Sequence, residues 1–94
     1  MDSEASLELL NATHDFPCEF TIKVIGKSSD EFVSSVVESV QESIGSREPI
    51  KYSTRATPNG RHVSVTLEPV VGSAEQVLTV YEGIRSVAGV VMTM

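Results

Sequence analysis

The stretch from Pro17 to Gly26 limits this chain's folding options more than any other. Within it Phe20, Ile22 and Val24 alternate with Thr21 and Lys23, the two-residue period of a strand with one face buried and the other wet. Pro17 has no N–H for a sheet ladder and marks the start; Gly26 marks the exit. A strand over Glu19 to Ile25 is therefore expected at the centre of a sheet, with helices folded onto one side of it.

The chain that follows supplies those helices. Ser28 with Glu31 has capping-box spacing, so a helix is expected to open there. Asp30 and Glu31 suit its positive end. Phe32, Val33, Val36, Val37, Val40 and Ile44 recur at helical steps along one stripe, and Gly45 is the expected stop. Ile50 to Thr57 reads as a second strand. Pro58-Asn59-Gly60 is a hairpin signal, and Arg61 to Glu68 returns with Val63, Val65 and Leu67 alternating against His62, Ser64, Thr66 and Glu68. Pro69 ends or bulges that strand. A second capping box, Ser73 and Gln76, opens a helix with Val77, Leu78, Tyr81, Ile84 and Val87 or Ala88 on its inner stripe, closed by Gly89. Val90 to Met94 forms a last short strand.

The order is β-α-β-β-α-β, an α+β, ferredoxin-like split βαβ. It implies a four-stranded antiparallel sheet in the order 4-1-3-2 with two helices on one face. Phe20, Ile22, Val24, Val63, Val65, Leu67, Met92 and the helix stripes make the expected core. Residues 15–94 are expected to form this single domain. Residues 1–14 are expected to be a flexible acidic tail, with Leu7, Leu9 and Leu10 pegging one helical turn against the body.

Composition narrows the function. The 94 residues carry 13 acids and 7 bases, a net charge of −6, which sets nucleic-acid binding at a disadvantage because that affinity rests on neutralising phosphates. No apolar run is long enough to span a bilayer, and the Met1-Asp2-Ser3-Glu4 start lacks a signal peptide's basic region. The single cysteine, Cys18, forms no intramolecular disulfide and no thiolate metal set. A cytoplasmic address is expected, with no cofactor.

At this point the residues resemble a known family. Phe16-Pro17, Phe20, Lys23-Val24 and Gly26, then Gly60, Ser64-Val65-Thr66, Glu75-Gln76, Tyr81 and the Val90 and Met92 end are similar in order and spacing to the YbeD-like family of small bacterial proteins of unknown function. The resemblance runs from Asp15 to Met94. It implies a ferredoxin-like fold similar to the small-molecule-sensing ACT regulatory domains, and an association with lipoate attachment by genome neighbourhood. It carries over no catalytic residue. This chain departs from the family pattern at His62, where members usually have Tyr, and at Ala56-Thr57-Pro58-Asn59, where they are Ser-rich.

Other chemistries of this fold are not encoded. The loop Gly26-Lys27-Ser28-Ser29 has neither the paired thiolates of a metallochaperone nor the glycines and Arg of an acylphosphatase. The outward residues of the two central strands (Thr21, Lys23 and Ile25; His62, Ser64 and Thr66) offer no aromatic platform for RNA bases. Cys18, beside Glu19 and with no adjoining cation to stabilise a thiolate, is not read as a nucleophile. His62 has no partner at metal-ligand spacing.

What remains is the sheet face away from the helices. Thr21, Lys23, Ile25, Ser53, Arg55, His62, Ser64, Thr66, Val91 and Thr93 are expected there. Lys23, Arg55, His62 and Ser64 form the candidate ligand-binding set, a cationic patch on an acidic protein suited to a small anionic metabolite or an acidic protein partner. Ile25 and Val91 on the same face are compatible with a homodimer interface. The expectation is a non-enzymatic regulatory or adaptor module. The alternative is a nucleic-acid-associated protein using Lys23, Arg55, Arg61 and His62.

Overall fold

A computed structural model describes residues 3–45 and 48–94. The elements in order are α1 (Ser3–Thr13), β1 (Cys18–Glu19), β2 (Ile22–Lys27), α2 (Asp30–Ile44), β3 (Tyr52–Ala56), β4 (His62–Leu67), β5 (Val70–Val71), α3 (Ala74–Arg85) and β6 (Val90–Thr93). The four longer strands form one antiparallel sheet in the order β3-β4-β2-β6. Alternation in β2 and β4 drives one face inward: Ile22, Val24, Val63, Val65 and Leu67 are buried against Phe32, Val36 and Val40 of α2 and Val80 and Ile84 of α3. Both helices therefore cover the same face, and Lys23, Ser64 and Thr66 turn away from it.

The first strand is interrupted. Instead of one strand over Glu19 to Ile25, Cys18 and Glu19 pair with Val71 and Val70 in a separate ribbon. The main strand starts only at Ile22 and runs on to Lys27. Pro69 is the reason. It has no N–H to give, β4 ends before it, and its carbonyl accepts the Phe20 N–H at 2.9 Å. Phe20 is only partly buried at this junction, its ring tilted against that of His14 at a centroid distance of 5.0 Å.

Further expectations are corrected. The α2 N-cap is Ser29, whose hydroxyl accepts from the Phe32 N–H at 3.1 Å, so the Ser28–Glu31 box is one residue out of register. Gly45 does end α2, in the left-handed conformation at φ 72°. In α3, Ser73 caps as expected by accepting from the Gln76 N–H at 3.2 Å. The Gln76 side-chain oxygen, however, accepts from the Gly72 N–H rather than from that of Ser73. The helix stops at Arg85 with Ser86 as its cap, well before Gly89. Its buried stripe is Ala74, Val77, Val80 and Ile84; Leu78 and Tyr81 sit at its half-exposed margin. At the hairpin only Gly60 has positive φ. The turn is held by the Asn59 side-chain oxygen accepting from the Arg61 N–H and by the Thr57 N–H donating to the His62 carbonyl.

The N-terminal region, expected as a tail with one helical turn, holds an α-helix over Ser3–Thr13. Met1 and Asp2 lie outside the described residues. Leu7 and Leu10 are half-buried, and Leu9 and Leu10 border Val77, Leu78 and Tyr81 of α3. The apolar peg is present, and it is carried by a full α-helix because residues 3–13 hold no Gly or Pro to break one.

The last correction concerns β6. Its register with β2 shifts between Ile25 and Gly26: Gly26 pairs with Val90 but Ile25 pairs with Met92, leaving Val91 as an extra residue. Met92 thus shares a face with Ile25, outside the core and 52% exposed, while Thr93 faces inward opposite Val24. Gly26 is integral to the bulge. A Cβ there would collide with the Phe32 ring and the Gly89 carbonyl, and that same carbonyl accepts the Lys27 N–H at 3.0 Å.

Candidate functional site

Strand register arranges the uncovered face in rows. Directly opposed residues in an antiparallel pair place their side chains on the same side, with Cβ atoms about 5 Å apart. One row runs Ser53–Thr66–Lys23 and closes on Met94, whose backbone exchanges both hydrogen bonds with Lys23, at 2.9 and 2.7 Å. The middle row is Arg55–Ser64–Ile25–Met92. The third places His62 opposite Lys27.

The four sequence-derived candidates all lie on this face, and the register divides them. Arg55 and Ser64 are direct cross-strand neighbours, and His62 is two residues from Ser64 on the same strand. Lys23 stands two strands and one row from Arg55, about 12 Å between Cα atoms from sheet spacings. Lys23 and Arg55 therefore flank the patch instead of converging on one atom. Lys27 belongs to the set and was hidden because Gly26 reads as the end of the strand. The signal was available: a glycine inside a strand pattern often marks a bulge or a close backbone approach. Met92 and Met94 were hidden by the same bulge. Arg61 lies in the hairpin loop outside the rows, and Thr93 faces the helices.

The charges segregate by layer. Asp30, Glu31, Glu38 and Glu42 on α2, Glu75 and Glu82 on α3 and Glu8 on α1 are exposed or nearly so on the helical side. The uncovered rows of β2, β3, β4 and β6 contain Lys23, Lys27, Arg55 and His62 and no acid. Among the described residues the ion pair is Lys51 with Glu68 at 3.2 Å, beyond the end of β4. Lys23, Lys27 and Arg55 make no ion pair among the described residues.

Two hollows border this geometry. One, of about 400 Å³, is a shallow depression against Arg55, Ala56, Pro58 and Ser64. The other, about 420 Å³, is an apolar groove where α1 meets α3 and β6, lined by Leu9, Leu10, Phe20, Leu78, Tyr81 and Arg85 among others. Burial raises the Tyr81 phenol above its ordinary pKa of 10.0. No group of three or more His, Cys, Asp or Glu side chains suited to a metal occurs among the described residues. Cys18 lies in the β1–β5 ribbon and His62 in the main sheet, so no nucleophile–base pair is assembled from them.

Residues 11–94 match the model of a family described as protein of unknown function DUF493. The chain belongs to this family. It is the family to which the YbeD-like resemblance pointed. A UPF0250 protein of Edwardsiella ictaluri is 37% identical over 87 residues, 90% of this chain and 95% of that protein. A UPF0250 protein of Shewanella amazonensis is 33% identical over 87% of this chain and 96% of its own length. In Sodalis glossinidius the figure is 40% over 78% of this chain and 82% of the relative. Protein HP0495 of H. pylori, solved in solution, superposes with a TM-score of 0.72 over 87% of this chain and 86% of that one, at 20% identity, and so shares the α+β fold. Among the described residues no helix of this DUF493 protein is long and apolar enough to cross a membrane.

Proposed function

We propose that this DUF493 protein is a non-enzymatic, cytoplasmic regulatory or adaptor module that holds an anionic ligand or an acidic protein segment on its uncovered sheet face. The observation that carries this is the separation of charge: Lys23, Lys27, Arg55 and His62 on one face of a protein of net charge −6, with Glu8, Asp30, Glu31, Glu38, Glu42, Glu75 and Glu82 on the helices. Such a face draws anions by long-range attraction while the rest of the molecule repels them. The strand order β3-β4-β2-β6, with both helices on one side, supports a ferredoxin-like assignment. Pairing with a second copy fits the β3 edge better than the face. Ser53 and Arg55 spend their backbone groups on β4, so Tyr52, Thr54 and Ala56 turn theirs outward. Two copies joined face to face would set like charges against each other.

The nucleic-acid alternative draws less support. Arg61 stands apart from Lys23 and Arg55, and no Phe, Tyr or Trp side chain lies in the uncovered rows. Titration of the full chain with citrate and with polyglutamate, followed by calorimetry and amide shifts, tests the reading. Binding at low salt that weakens as salt rises, and is lost in Lys23→Glu/Arg55→Glu, is expected. No saturable binding of either probe at low salt overturns it.

A further inference from the structure

The uncovered face is not uniformly polar. The outer face of an antiparallel sheet ordinarily alternates to solvent-compatible residues, yet here Ile25, Met92 and Met94 stand side by side on β2 and β6. Met92 is 52% and Met94 57% exposed. They lie beside Lys23 and Lys27, with His62 and Arg55 across β4 and β3. Taken together the face is amphipathic, an apolar strip bordered on one side by cations.

We propose that the occupant of this face is an acidic amphipathic helix of a partner protein. This rests on the anion-binding reading above and specifies its ligand. The dimensions agree. A helix with its side chains is about 10–12 Å across, and β4, β2 and β6 span two strand spacings, about 10 Å. Seated along β2 and β6, such a helix sets its apolar stripe on Ile25, Met92 and Met94 and its carboxylates over Lys23, Lys27 and Arg55. Methionine suits the role because its unbranched, polarizable side chain adapts to varied surfaces. A second copy of this chain is disfavoured on the same face by charge. A strand added at the β6 edge would meet the Val91 bulge, which breaks the ladder it must extend.

The test titrates the full chain, followed by amide shifts and anisotropy, with three probes of equal net charge: a synthetic Leu/Glu helix with one apolar stripe, the same composition scrambled to destroy the stripe, and polyglutamate. The striped peptide is expected to shift Lys23, Ile25, Met92 and Met94 and to bind about tenfold tighter than the scrambled one, the worth of one buried apolar side chain. Met92→Ser, at an exposed site that leaves the fold intact by circular dichroism, is expected to erase that advantage and leave polyglutamate binding unchanged; Met94→Ser is the parallel variant. Equal binding of all three probes at the face overturns the helix proposal and leaves the anion-binding reading standing. Binding by none removes both. Shifts confined to the α1–α3 groove, or displacement of the striped peptide by a single-stranded oligonucleotide at lower concentration, overturn the proposal as well.

Discussion

At the scale of single residues, position in the ladder matters more than residue type. Gly26 and Gly45 look alike in the sequence and act differently. Gly45 answers to its left-handed φ with open space around it, whereas Gly26 answers to the Phe32 ring pressed on its backbone. Tyr81 shows how burial converts to a pH response. Its phenol is raised above 10.0 by desolvation, and its hydroxyl lies 3.5 Å from the Met94 carbonyl. A folded-state value above the unfolded one means its stabilisation is complete below 10.0 and is lost as pH climbs through the folded value. Urea midpoints measured on either side of pH 10.0 are expected to fall on the alkaline side, and Tyr81→Phe to flatten that fall.

At the scale of elements, the caps decide where helices begin. Ser28 and Ser29 are adjacent, and only the hydroxyl of Ser29 reaches an orphan N–H of α2. Ser29→Ala is expected to cost about 1 kcal/mol and Ser28→Ala close to nothing, measured by denaturant unfolding. The sequence pattern favoured Ser28 because Glu31 lies three residues on. The backbone favoured Ser29 because β2 continues to Lys27 and brings the chain into the helix one residue later. At α3 the sequence signal was right at Ser73. There Gln76 also ties two helices, its side-chain N–H donating to the Ile44 carbonyl at the end of α2 at 3.2 Å, a bond that no local motif announces.

At the scale of the whole molecule, layers of opposite charge share one core, and α1 is fastened to the outside of α3 by a few leucines. Because α1 adds no strand and no residue of the central buried cluster, removal of residues 1–13 is expected to leave the sheet's amide spectrum in place. It is expected to lower unfolding stability by about 2–3 kcal/mol, the worth of one or two half-buried leucines and the α3 surface they cover. Loss of cooperative unfolding in that variant would show α1 to be part of the core.

The amino-acid order by itself determined the alternation of strand and helix, the inner faces of β2, β4 and α2, and the presence of Lys23, Arg55, His62 and Ser64 on the outer face. All of these follow from local periodicity and the two-residue step of a strand. Tertiary structure decided the break at Phe20, the bulge at Val91, the outward turn of Met92 and the entry of Lys27 into the cationic rows. Those depend on which strand lies opposite and on a ring from α2 occupying the space above Gly26, contacts between residues too far apart in the chain for any local pattern to encode.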